Sequence, residues 1–190
     1  MIDNENDLNQ RLGYKIKSLR SDQGLSLAAL AEQSGVSRAM LSLIERGETS
    51  PTAVVLEKVA SALSVSLASL FEHSQAEPNP LMRASDRTSW RDPASGYTRT
   101  NLSPPGFPSP MQLVEVELPA QARVSFASEP STRGFYHQFW LLSGRLQITK
   151  GEQTYTLQAG DCLALYVDHA THFYNPLKKK SHYLVVIARP

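Results

Sequence analysis

Arg38 and Arg46 lie in a segment, Ser37-Arg-Ala-Met-Leu-Ser-Leu-Ile-Glu-Arg46, whose apolar Leu41 and Ile44 recur at helical spacing. Guanidinium groups on the open side of such a helix can donate to phosphate oxygens or to the O6 and N7 edge of guanine. Whether they can reach a nucleic acid depends on the element before them. The spacing predicts a helix over 27–34 and another over 38–46, separated only by the Ser34-Gly35-Val36-Ser37 turn. Helices joined that tightly cannot run as a long hairpin. They cross steeply and present the second helix outward, the geometry that puts a helix into a DNA major groove.

The flanking pattern supplies a frame for that pair. Leu8, Leu12, Ile16 and Leu19 mark a first amphipathic helix over 8–22 that also carries Arg11, Lys15, Lys17 and Arg20. Ser26 and Ser37 are placed to cap the next two helices, and Gly35 suits a left-handed turn position. Pro51 and Thr52 open a fourth helix that turns Leu56, Val59, Ala60 and Leu63 inward, and Ser66 caps a short fifth from Leu67 to Phe71. Positive charge is local, not general. Seven Lys and Arg precede residue 76 against nine Asp and Glu, and the whole 190-residue chain carries +1.

Over residues 74–83 the pattern gives way to a Pro-interrupted linker, Ser-Gln-Ala-Glu-Pro-Asn-Pro-Leu-Met-Arg. Beyond it the period becomes two. Strands are predicted at 111–118, 145–149, 154–157 and 182–189, with turns at Ser143-Gly144, Lys150-Gly151 and Ala159-Gly160 and a Pro-rich loop over 101–110. Short strands at close spacing indicate an antiparallel sandwich or small barrel. One cysteine, Cys162, excludes an internal disulfide and a cysteine-rich zinc site; it reads as a small buried residue of a strand. The absence of a long apolar run and the polar start predict a cytoplasmic protein without membrane contact.

Residues 8–72, with Leu-Ala-Glu-Gln-Ser-Gly-Val-Ser-Arg-Ala-Met-Leu-Ser-Leu-Ile-Glu-Arg-Gly-Glu-Thr-Ser-Pro-Thr and the final Val-Ser-Leu-Ala-Ser-Leu-Phe, resemble the lambda-repressor-like (XRE-type) helix-turn-helix domain. The resemblance implies a five-helix unit over 1–73 in which Arg38, Ala39, Ser42 and Leu43 face base edges. Ser26, Ser37 and Arg46 would meet phosphates, and an Arg20–Glu45 pair would brace the reading helix against the first. It also implies a palindromic double-stranded operator, a homodimer with half-sites roughly 34 Å apart, and repression as the common outcome.

Residues 84–190 resemble a cupin, a jelly-roll type antiparallel β-barrel. The resemblance rests on His137-Gln-Phe-Trp-Leu-Leu-Ser-Gly144-Arg-Leu-Gln-Ile-Thr149 and on Gly160 through His172-Phe-Tyr-Asn175, with one extra residue before His172. Metal-binding cupins place two histidines, a glutamate and a later histidine at positions that here hold Ser131, Arg133, His137 and His172. Arginine repels a cation and offers no lone pair, so no metal, cofactor or cupin enzyme chemistry is expected. Arg133, His137 and His172 instead suggest a pocket for an anionic small-molecule effector, walled by Phe139 and Tyr174. His182 reads as a surface or edge residue, and Trp140 faces away from His137, toward another sheet, domain or subunit.

These features describe a sequence-specific DNA-binding regulator with an effector-binding, dimerising second domain. Two other readings stay open on sequence alone. One is a metal-dependent cupin enzyme with a helical docking module; the other is a regulator whose barrel serves only for dimerisation.

Overall fold

In the computed structural model, residues 2–71, 79–126, 135–168 and 170–188 are described, with side chains from residue 7. His73 and His169, residues 74–78 of the expected linker, Ser131 and Arg133 lie outside them. Four α-helices come first: α1 (Ile2–Asp22), α2 (Leu27–Ser34), α3 (Arg38–Glu45) and α4 (Ala53–Ala62). The expected fifth helix is a 3₁₀ segment, Leu67–Phe71, so the unit has four α-helices and not five. Five residues give such a segment too little length to close several i→i−4 bonds, and it tightens instead around Ser66.

Local chemistry sets these boundaries. Ser26, Ser37 and Thr52 each accept a hydrogen bond from a backbone N–H in the first turn that follows. Gly35 takes φ 63°, a conformation that would strain a residue carrying Cβ. Gly13 has a different role. A Cβ there would lie 2.2 Å from the Ile44 carbonyl oxygen, so a side chain would hold α1 off α3. Leu12, Ile16, Leu30, Leu41, Ile44 and Leu56 then fill the space among the four helices.

The described residues beyond the helices include ten strands in two antiparallel sheets. The larger runs β1 (Ser89–Arg91), β2 (Thr98–Asn101), β3 (Met111–Leu118), β10 (Ser181–Ala188), β5 (Phe135–Ser143), β8 (Cys162–Val167). The smaller runs β4 (Arg123–Phe126), β9 (Thr171–Tyr174), β6 (Arg145–Lys150), β7 (Gln153–Gln158). Among the described strands the barrel does not close. The chain changes sheet at Ser143–Arg145 and at Gly160, leaving β8 as one edge and β7 as another. Inward residues such as Val114, Val116, Leu141, Leu146, Ile148 and Tyr183 alternate with outward ones.

The helices sit directly on this sandwich. Buried apolar residues from both halves form one continuous cluster. The carboxylate of Asp92, on the turn after β1, accepts the Ala53 N–H at the start of α4 (2.9 Å). Ser66 donates to Gln112 of β3 (2.7 Å), and Asn101 of β2 donates to the Ala68 carbonyl (3.2 Å). Phe71 packs on Trp90 with ring centroids 5.7 Å apart.

Candidate DNA-reading face and interior cavity

On α3, Leu41 and Ile44 are fully buried while Arg38, Ala39 and Met40 are exposed and Ser42 and Leu43 are partly so. The helix turns its N-terminal half to solvent because its apolar residues occupy only one face. Arg38 is exposed at the first position after the Ser37 cap. Arg46 is differently occupied. Its Nε and Nη2 donate to both carboxylate oxygens of Glu48 (2.7 and 2.8 Å), and its Nη1 donates to Ser42 Oγ. The arrangement raises the arginine pKa and lowers that of Glu48, chiefly through these hydrogen bonds. Of the residues expected to meet DNA, Arg46 is thus engaged with a neighbouring acid and Ser42 with Arg46.

Behind α3, Arg20 Nε and Nη2 donate to Oε1 and Oε2 of Glu45 at 2.6 and 2.9 Å, and Nη1 donates to the Leu25 carbonyl at 2.7 Å. Only 13% of the arginine side chain and 6% of the glutamate side chain remain exposed. The pair ties the ends of α1 and α3 and the start of α2 together.

In the sandwich, the expected effector residues separate. Phe139 is buried and His137 lies beside it, ring centroids 5.6 Å apart, both facing inward from β5. His172 and Tyr174 face outward from β9, while Thr171 and Phe173 take the inward positions. His172 Nδ1 pairs with Ser125 Oγ at 2.8 Å, and Tyr174 lies under the Arg123 guanidinium, 3.8 Å from ring centroid to Cζ. The extra residue before His172 explains the difference, because a one-residue offset in a strand exchanges its two faces. Those two residues are therefore withdrawn from the pocket.

A residue not anticipated from the sequence takes their place. Arg99, on β2, points inward and is 6% exposed, with Nε and Nη2 lacking any hydrogen-bond partner. Arg99, Tyr97, His137 and Tyr183 line an interior cavity of about 70 Å³ together with Glu57 of α4 and Ser66. Burial, then the charge of Arg99, push His137 down to about 3, so its imidazole is neutral. Burial raises the phenols of Tyr97 and Tyr183 and the carboxyl of Glu57, with Arg99 opposing in each case. A divalent metal does not fit this chemistry. The cavity offers one imidazole beside a guanidinium, and among the described residues no three His, Cys, Asp or Glu come together. The sequence signal was the alternation in Tyr97-Thr-Arg-Thr100, which puts Tyr97 and Arg99 on one face.

Other positions also differ from expectation. Cys162 is exposed, on the outer face of edge strand β8 opposite Trp140. His182 lies on β10, central in its sheet, and Nε2 pairs with Glu115 at 2.8 Å. Tyr136, Trp140 and Tyr166 are 55%, 50% and 37% exposed on the outer face, forming an aromatic patch.

Comparison with known proteins joins these two halves. The helix-turn-helix family model HTH_3 matches residues 16–70. Over 166 residues the chain is 32% identical to the HTH-type transcriptional regulator SutR of Escherichia coli (strain K12), covering 86% of this chain and 85% of that protein. The helical part alone is 44% identical over 62 residues to SinR of Bacillus subtilis, covering 32% of this chain and 56% of that protein. A crystal structure of an HTH_3 family transcriptional regulator from Vibrio cholerae superposes with a TM-score of 0.78 at 27% identity, covering 98% of this chain and 99% of that one. With a relative 32% identical over 85% of its own length and a solved regulator structure superposing over 98% of this chain, the chain belongs to the XRE-type helix-turn-helix transcriptional regulators.

Proposed function

We propose that the protein binds a palindromic DNA operator as a homodimer, represses transcription from it, and responds to a small-molecule effector held in the sandwich. The observation that carries the DNA reading is the exposed N-terminal half of α3, held on the core by Leu41 and Ile44. Arg38 would read guanine, while Ala39 and Leu43 meet thymine methyl groups. Ser42 would approach base edges, and Ser26, Ser37 and Arg46 would contact phosphates. Arg20 and Glu45 would hold the reading helix without touching DNA.

Pairing of two reading helices is assigned to the aromatic patch of β5 and β8. Tyr136 and Tyr166 meet there in a tilted ring contact, centroids 5.0 Å apart, at the β8 edge, leaving apolar surface of the kind that copies of a chain bury together. The proposed effector site is the cavity of Arg99, His137 and Phe139, without His172 and Tyr174, which face outward; Arg133 lies outside the described residues. In this reading the protein acts in the cytoplasm, as a regulator and not as an enzyme. Salt-dependent binding to its own promoter tests the core of this reading. Arg38→Ala is expected to weaken specific binding about 10- to 100-fold and relax base preference at one position per half-site. Unchanged affinity and preference would refute the assignment of α3.

A further inference from the structure

We infer that the Arg99 cavity is a carboxylate sensor wired directly into the DNA-binding unit, with Glu57 of α4 as the element that reports occupancy. The inference rests on the effector reading above and goes beyond it by naming the ligand class and the coupling residue.

The ligand class follows from the free edge of Arg99. The unpartnered atoms are Nε and Nη2, the two parallel donors on one side of the guanidinium. Elsewhere in this protein the same edge grips a carboxylate on both occasions: Arg20 on Glu45 and Arg46 on Glu48. Arg99 is 6% exposed and this edge faces a cavity; among the described residues no carboxylate is hydrogen-bonded to it, Glu57 lining the same cavity without such a bond, and water has little access. Protonated Tyr97 and Tyr183 and neutral His137 can add uncharged donors. Phe126, Phe139, Phe173, Val185 and Ile187 complete an apolar wall suited to a short hydrocarbon tail.

Size narrows the ligand further. A volume of about 70 Å³ exceeds the roughly 10–15 Å³ that a single water needs and is of the size for a few waters or one compact carboxylate. A larger cleft of about 420 Å³ at the Pro-rich loop shares Phe135 and Ile187 with the cavity.

Coupling follows from where the cavity sits. Its wall includes Glu57, Ser66 and Leu67, so part of the sensor belongs to the DNA-binding unit. Asp92 holds the first residue of α4, and Ser66 and Ala68 are tied to β3 and β2. A second carboxylate bound to Arg99 would place like charges at the inner face of α4, where little water screens them. Glu57 must then take up a proton or move away, and movement carries α4 and the docked 3₁₀ segment with it. Occupancy thereby changes how the reading helices are held relative to the sandwich.

The test uses full-length protein, calorimetry and thermal unfolding, with acetate, propionate and butyrate as probes and sulfate and chloride as controls at matched ionic strength. Operator affinity is measured with and without each probe. At least one carboxylate is expected to bind and to change operator affinity, with sulfate inert. Arg99→Gln should weaken binding at least about 100-fold through loss of two charge-assisted bonds. Arg99→Lys, which keeps charge but not the fork, should weaken it nearly as much; both variants are first confirmed to melt cooperatively. Glu57→Gln, nearly isosteric, should tighten carboxylate binding about tenfold and abolish the ligand's effect on operator affinity. Carboxylate binding that needs Arg99 but leaves Glu57→Gln and operator affinity unaffected would overturn the coupling while the effector reading stands. Sulfate binding as tightly as carboxylates would overturn the ligand class. No binding by any probe to protein that still recognises its operator would overturn the inference and the effector reading together.

Discussion

Replacing Arg20 with alanine should unfold this protein more readily than any other single change on the surface of its helices. The replacement removes three hydrogen bonds at 2.6, 2.7 and 2.9 Å and leaves the Glu45 carboxylate, only 6% exposed, without its cation. Breaking a buried pair from one side costs about 3–5 kcal/mol, and the partial exposure of the arginine places this case near about 3 kcal/mol. For a chain of this size about 3 kcal/mol corresponds to a fall in Tm of roughly 6–12 °C. Circular dichroism during heating and urea titration would measure it. The companion variant Arg20→Ala/Glu45→Ala separates packing from charge. With both partners gone no charge is stranded, so the double variant should be more stable than Arg20→Ala alone. At a temperature where it remains folded, Arg20→Ala should keep its base preference and salt dependence, since the residue lies behind α3. An Arg20→Ala protein within about 0.5 kcal/mol of the parent, or a double variant destabilised by the sum of the single effects, would refute the brace.

Three further outcomes follow from particular contacts. Glu48→Gln should release Arg46 from its bidentate partner; operator affinity at low salt should rise several-fold and the salt dependence steepen by about one phosphate's worth, read by fluorescence anisotropy. His137 has a folded pKa of about 3 against 6.5 unfolded, so the unfolded chain alone holds its proton between those values. That stability is complete above pH 6.5 and falls by up to about 1.4 kcal/mol per pH unit toward pH 3. The difference between parent and His137→Gln urea titrations across that window should show it. Gly13→Ala should separate α1 from α3, because the new Cβ meets the Ile44 backbone oxygen at 2.2 Å; a loss of about 1–3 kcal/mol is expected in urea titration, with weaker operator binding.

Much of the helical unit is legible from residue order because its signals are local. Caps at Ser26, Ser37 and Thr52, the Gly35 turn and the spacing of Leu41 and Ile44 each act within a few residues. The last helix was misjudged in type, since five residues can close as 3₁₀ or α and only docking decides. The long strands β3, β6, β7 and β10 were also visible through alternation. The short β1 and β2, three and four residues long, offered too little periodicity to be seen, and with them went Arg99. The face of His172 was missed by parity alone.

The sequence by itself determined that this chain builds two short helices joined by a tight turn, followed by an antiparallel β unit. Those properties depend on residue types and short spacings, which a linear reading contains. Only the tertiary structure decided which charged groups meet. It paired Arg46 with Glu48, turned His172 to solvent, and brought Glu57 to the same cavity as Arg99 across 41 intervening residues. Burial makes that last meeting consequential. An unpartnered guanidinium costs little in water, but inside a sandwich it leaves two donors that a ligand can satisfy.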